Sequence, residues 1–297
     1  MRKLLPEKRR TLFIWLVIPL AFYMFVVFGP ILNGLYFSFF NWRGGPTMSF
    51  SGLDNYVRMI NDPGFWQAFR NNIHVILFCL VGQTGLGFFV AVLLSSKFLK
   101  LRKVYRYIVF LPVILSGVVV GFLWRMTFNS TFGLLNGLLN FLGLGGLIRN
   151  WLGDPSIVMS SISVTLIWQF MGLNVIIFLA SLQNIPQEIT EASEIDGANA
   201  FQKLRYITFP LMYNTIKVAI ILCVSGNMRI FDHIQIMTRG GPGTTSSVLS
   251  LYAYKISFEM MYFGYGSALA IGIIILSLGL VMLTMLLMRG GSAKHAI

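Results

Sequence analysis

Charge is what this sequence has least of. Only 11% of its 297 residues are charged, and ten are acidic. A soluble domain of this length carries about a quarter of its residues as charges, so a water-soluble globule is excluded. Cysteine is nearly absent. Cys79 and Cys223 both fall inside hydrophobic runs, which suits small apolar packing residues and excludes a disulfide framework. The three histidines, His74, His233 and His295, have no spacing typical of metal ligands. No cluster of His, Asp or Ser has catalytic spacing, so neither a metal nor a catalytic residue is expected. There is also no Gly-Lys dipeptide, which a phosphate-binding loop requires before its Ser or Thr. The chain is therefore expected to bind no cofactor of its own.

What the sequence has instead is apolar length. Hydrophobic residues make up 56% of the chain and gather in six blocks, roughly 12–38, 70–96, 104–127, 157–182, 211–236 and 264–288. Each is long enough for the ~20 residues that cross a bilayer as a helix. The blocks are continuously apolar, not alternating, which favours helices over a barrel. The first is too long, and too lacking in a small-residue cleavage site, for a removable signal. The expectation is one all-α polytopic membrane domain over 1–297.

The net charge of +13 is a topology signal. With six spans, fourteen cations share one side: Arg2, Lys3, Lys8, Arg9 and Arg10 before the first block; Lys97, Lys100, Arg102, Lys103 and Arg106 after the second; Lys203 and Arg205 after the fourth; Arg289 and Lys294 after the last. The opposite side holds seven: Arg43, Arg58, Arg70, Arg125, Arg149, Arg239 and Lys255. By the positive-inside rule both termini are expected in the cytoplasm. Cations that flank helices, with no single basic stripe, argue against nucleic acid.

Three connections are rich in turn residues: Asn41 to Pro46 and Asp62 to Trp66, Asn129 to Pro155, and Gly240 to Thr245. Gly133 to Leu139 reads as a short amphipathic helix on the membrane surface. The connection over about 184–210 differs, because it holds four of the ten acids, Glu188, Glu191, Glu194 and Asp196. Pro186 opens a helix at its first turn, Glu188 and Glu191 favour its positive end, and Gly197 ends it. A second short segment, Phe201–Tyr206, precedes Pro210, which starts the fifth span. Helix, glycine turn and short helix make a cytoplasmic knob that exposes Ala192, Ile195, Ala198 and Phe201.

Glu191-Ala192-Ser193, then Gly197, Ile207, Phe209 and Pro210, resembles the EAA motif of binding-protein-dependent ABC importer permeases. Ser193 and Phe209 stand where that motif has alanine and leucine. The wider string EASEIDGANAFQKLRYITFPLM resembles the sugar permeases of the maltose and glycerol-3-phosphate type. Further resemblances run along the chain: FWQAFRNN from Phe65, YRYIVFLP from Tyr105, Gly121 to Trp124, NWLGDP from Asn150 and TRGGPGTTS from Thr238. The resemblance implies a permease subunit of an ATP-driven importer in a bacterial or archaeal cytoplasmic membrane. It implies a second, homologous permease, two cytoplasmic ATPase subunits carrying ATP and magnesium, and an extracytoplasmic binding protein that delivers a sugar. Glu191, Ala192, Ser193, Asp196, Gly197, Ile207 and Pro210 would form the ATPase-coupling loop, transmitting rigid-body motion.

Polar residues inside the spans are costly and are site candidates by default. At 100° per residue, Ser161, Thr165, Trp168 and Gly172 share a stripe of the fourth span, with Gln169 at its margin. Asn227, Phe231 and Gln235 share a face of the fifth. Arg229 and Asp232, three residues apart, are placed to neutralise each other. Aromatic and amide groups together suit a sugar, so Trp168, Gln169, Gly172, Asn227, Phe231 and Gln235 are the expected lining. The alternative for these groups is hydrogen-bonded glue between helices. Gly82, Gly85 and Gly87 read as packing glycines, with Gln83 among them as the exception. The competing function, an ion-gradient-driven secondary transporter, has only Asp232 for a coupling site and no evident inverted repeat.

Overall fold

With no water in a bilayer to satisfy a bare backbone, the apolar blocks close their own hydrogen bonds as helices. The computed structural model describes residues 6–95 and 100–289, with side chains from residue 13 on. Arg2, Lys3, Lys97, Lys294 and His295 lie outside the described residues, as do the side chains of Lys8, Arg9 and Arg10. Among the described residues, four helices are long and apolar enough to cross a membrane: Phe13–Phe37, Pro63–Ser95, Val158–Gln183 and Phe263–Leu287. Two bent pairs, Arg102–Ile114 with Gly117–Thr127 at 100° and Ala200–Leu211 with Tyr213–Met228 at 71°, bring the number to six when each is counted as one span. In chain order these are the first, second, fourth and sixth spans, with the bent pairs as third and fifth.

Three boundaries differ from the sequence reading. The third block is not one helix. Pro112 cannot donate to the ladder and crowds the preceding turn, Leu115 turns to ψ 143°, and Ser116 caps the next helix by accepting from the Val119 N–H at 3.3 Å. The fifth block stops at Met228, and a separate helix, Asp232–Met237, follows. Pro210 does not start the fifth span, because it lies in the helical stretch before the bend and the straight helix starts at Tyr213.

The described residues form two compact units, one within 1–62 and 253–272 and the other within 63–252 and 273–297. In the first unit, β1 (Phe40–Trp42) pairs antiparallel with β2 (Met48–Phe50), Phe40 facing Phe50 and Trp42 facing Met48. Gly44 and Gly45, both at φ 84°, turn the hairpin in a region where glycine is unstrained. This hairpin is a small exception to an otherwise helical chain. Asn55, on the helix Asp54–Ile60, donates to the carbonyls of Ser38 and Phe40, both at 2.9 Å. The Arg58 guanidinium lies 4.1 Å from the Tyr265 ring centre and 5.2 Å from that of Tyr262, and Arg43 lies over Tyr262 at 4.3 Å. Aromatic faces thus hold both cations.

The second unit has its core where the second, fourth and fifth spans meet. Val75, Ile162, Leu166, Ile234 and Leu251 form one buried cluster, and Ala91, Val175, Phe178, Met212 and Ala219 a second. The connection from the third to the fourth span carries the short helix Leu134–Phe141, where the sequence reading expected one. Its buried Asn136 accepts from Trp151 Nε1 at 2.8 Å and donates to the Arg149 carbonyl at 3.0 Å.

Glycines set the tightest approaches. A Cβ on Gly82 would sit 2.3 Å from the Ile167 side chain, and one on Gly172 would sit 2.1 Å from the Val109 carbonyl oxygen. The second neighbour is backbone and cannot rotate away. Gly172→Ala is therefore expected to destabilise the protein by about 1–3 kcal/mol or more, read as a lowered thermal midpoint in detergent. Gly85→Ala, whose nearest neighbour is its own helix's Leu80 carbonyl at 3.8 Å, is expected to leave the midpoint within a degree or two.

Candidate functional site

The break in the fifth span opens a cavity of about 340 Å³ in the second unit. The second span contributes Gln83 and the fourth Phe170 and Asn174, while the fifth and its break add Asn227, Arg229, Phe231 and Asp232. The break exposes backbone that a continuous helix would satisfy. Asn72, fully buried, donates to the Asn227 carbonyl at 3.0 Å and the Met228 carbonyl at 3.4 Å, and its Oδ1 accepts from the Leu249 N–H at 2.9 Å. The Ser250 hydroxyl donates to the Ile230 carbonyl. One buried amide and one hydroxyl therefore hold the broken end.

The bend in the third span is held the same way. Gln169, 1% exposed, donates to the Leu115 carbonyl at 2.9 Å and accepts from His233 Nε2. Gln169 thus braces the third-span bend against the start of Asp232–Met237 and is absent from the cavity wall. Gly172 is at the Val109 contact, and Trp168 packs edge-on against Trp124 with ring centres 5.7 Å apart, so neither lines the cavity. Of the six residues expected to line a solute path, the cavity gathers Asn227 and Phe231. Gln235 lies beyond the break, where its Oε1 is buried without a hydrogen-bond partner among the described residues. The shared helical face of Asn227, Phe231 and Gln235 does not exist, because the helix is interrupted between them.

The cavity's chemistry is mixed. Asn227 donates to Gln83 Oε1 at 3.3 Å and to the Cys223 carbonyl at 2.8 Å, so both its donors point into the protein. Gln83 in turn donates to the Leu166 carbonyl at 3.1 Å. Arg229 caps the helix end and donates from Nε to the Ser225 carbonyl at 3.3 Å. Arg229 and Asp232 do not form the expected ion pair, because the break puts them on different helices. Both residues are exposed, and both are in the cavity wall with Phe170 and Phe231. Gln83 was singled out in the sequence. Asn174 was not, because one asparagine in an apolar helix carries no pattern.

The loop between the fourth and fifth spans is a capped two-helix turn. The helix Gln187–Ile195 starts after Pro186, Glu188 lies in its first turn, and Asp196 closes it. Gln187 donates to Glu191 Oε1 at 2.6 Å, while Ser193 is buried and donates to the Thr190 carbonyl at 2.6 Å. Gly197 takes φ 75°, with open space around its missing Cβ, so its requirement is backbone conformation alone. Asn199 and Gln202 form a reciprocal capping box at the start of Ala200–Lys203, and Lys203 pairs with Glu194 at 2.8 Å. Ile207 and Pro210 follow on the same helical stretch. Ala192 is exposed, Ile195 is 87% exposed and Phe201 is 72% exposed.

The profile of a family described as binding-protein-dependent transport system inner membrane component matches residues 83–289. A "probable ABC transporter permease protein" of Pyrococcus horikoshii is 39% identical over 260 residues, 87% of this chain and 88% of that protein. The lactose transport system permease protein of Rhizobium radiobacter is 32% identical, covering 88% and 89%. The sulfoquinovosyl glycerol transport system permease protein of Agrobacterium fabrum is 31% identical, covering 91% and 87%. In fold, the chain is similar to one from a bacterial ABC transporter that imports the acidic polysaccharide alginate, with TM-score 0.83 and 22% identity over 95% of this chain and 96% of that one.

The geometry at the break has a direct test. Asn72→Leu leaves two carbonyls and one N–H without their partner in an apolar setting, at about 1–3 kcal/mol for each group left unmet. The expected result is a thermal midpoint lowered by many degrees in detergent. Asn61→Leu, which removes an exposed bond to the Val57 carbonyl, is expected to change stability by no more than about 0.5 kcal/mol.

Proposed function

The chain belongs to the family of binding-protein-dependent transport system inner membrane components, a multi-pass membrane protein and not itself a catalyst, and on that premise we propose that it is a permease subunit of an ATP-driven sugar importer. With a second, homologous permease it forms the path for a sugar or oligosaccharide handed over by an extracytoplasmic binding protein. Two cytoplasmic ATPase subunits carry ATP and magnesium. Both termini and the 184–210 loop face the cytoplasm of a bacterium or archaeon. The alternative of an ion-gradient-driven secondary transporter draws no support from this family.

The cavity at the fifth-span break carries the sugar reading. A solute rich in hydroxyls needs donors, acceptors and apolar ring faces within one molecule's length. Arg229, Asp232 and the rings of Phe170 and Phe231 supply these around about 340 Å³. The names of relatives agree, since lactose and sulfoquinovosyl glycerol are both carbohydrates. For the coupling role, the support is the capped knob with Ile195 and Phe201 in water. Apolar side chains on a polar loop favour a protein partner that covers them.

Two measurements test this reading in the assembled transporter. Asp232→Asn, which keeps shape and removes charge, and Asn227→Leu, which removes an amide oxygen that no protein donor holds among the described residues, are expected to lower sugar uptake per assembled complex about tenfold, or about 1.4 kcal/mol. A drop in complex yield with unchanged uptake per complex would make these residues interhelical glue. Separately, Glu191→Lys and Gly197→Asp are expected to leave the chain in the membrane but abolish ATPase attachment or coupled uptake, Gly197→Asp by forcing a side chain into left-handed backbone. Normal uptake in both variants would remove the coupling assignment.

A further inference from the structure

A second cavity, of about 530 Å³, lies where four spans of the second unit end. Its wall takes Ser95 from the end of the second span and Arg102 and Arg106 from the start of the third. Gln183 ends the fourth span there, and Thr208 leads into the fifth. Residues at span ends sit at the depth of lipid headgroups. Lys203 also lines the cavity, and none of its lining residues is acidic. Lys203 is neutralised by Glu194, but neither arginine has an ion-pair partner among the described residues. Arg106 is half-buried, and its Nε is shut off from solvent with no hydrogen-bond partner among the described residues. A buried guanidinium N–H without an acceptor is costly. A neighbouring hollow of about 580 Å³ shares Arg102 and Arg106 and adds Lys100 and Lys103.

We propose that this cavity binds the phosphate of an anionic phospholipid headgroup. The planar fork of the Arg106 guanidinium presents parallel N–H groups that match a phosphate bidentately. Arg102 supplies the second charge, and the Gln183 amide and Thr208 hydroxyl are within the same wall to hydrogen-bond headgroup oxygens. A lipid is favoured over free phosphate because the span ends place the site in the headgroup layer. The cation excess on this side puts it in the leaflet where anionic lipids collect. Gln187, Thr190 and Ser193 of the coupling helix line the same cavity, so an occupied site ties the loop to the membrane surface. This site depends neither on the identity of the transported solute nor on the 340 Å³ cavity.

The test is lipid retention by the complete transporter, measured by native mass spectrometry after delipidation and titration with phosphatidylglycerol or phosphatidylcholine. The wild-type protein is expected to keep one phosphatidylglycerol where phosphatidylcholine washes off. The Arg102→Gln/Arg106→Gln double variant is expected to bind it roughly thirtyfold more weakly, at ~1 kcal/mol per cation. Arg106→Lys is expected to keep part of the affinity, and Arg149→Gln, in the connection between the third and fourth spans, all of it. Equal retention of the two lipids by the wild-type protein overturns the proposal without any variant. Displacement of the lipid by millimolar inorganic phosphate would reassign the site to the free anion. ATPase attachment lost in the double variant with lipid retention unchanged would assign it to an acidic side chain of the partner.

Discussion

Two buried amides hold the places where the third and fifth spans are interrupted. In an apolar layer a helix can be interrupted only where protein groups meet the freed carbonyls and N–H groups. Asn72 meets them at the end of the fifth span, reaching Asn227, Met228 and Leu249, and Gln169 meets the Leu115 carbonyl at the bend of the third. The contact from His233 to Gln169 links the two interruptions. The interruption in turn makes the cavity, since a continuous helix past Met228 would carry Arg229 and Asp232 on one surface, close enough to cancel. Broken, the chain leaves both residues unpaired with each other in the wall of one cavity.

The loop that projects from the spans follows different physics. Its order is local, built from a capping box, a glycine in left-handed backbone and one short ion pair between Lys203 and Glu194. The water around it supplies alternative partners, so each element contributes modestly. Sequence-local devices of this kind set the turn between the two short helices. The same loop leaves Ile195 and Phe201 exposed.

These two kinds of order explain what the sequence disclosed. Spans are legible because about 20 apolar residues leave few alternatives, and the loop is legible because Pro186, Gly197 and the acids act on near neighbours. The bends were missed because hydropathy measures where lipid is and says nothing about whether the helix continues. Pro112 was the available signal in the third span. At Met228 there is no proline, and the break depends on Asn72, far away in sequence. Phe231 and Asn227 were named from a helical face that the break abolishes, yet both line the cavity, because the break itself forms its wall. Gln169 and Gly172 were polar or small for structural reasons, one as a brace and the other as a contact.

The first span, Phe13–Phe37, has no side chain buried against the rest of its own chain across its most apolar window. Every other unbroken span is specified partly by shape, through neighbours that a substituted side chain would strike or abandon. This one is asked only for a total, enough oily surface over enough length. Such a segment carries little information per residue, since many orderings of Phe, Leu, Ile and Val satisfy it equally. The family profile, which is a record of position-by-position preference, begins at residue 83 and leaves the first span outside.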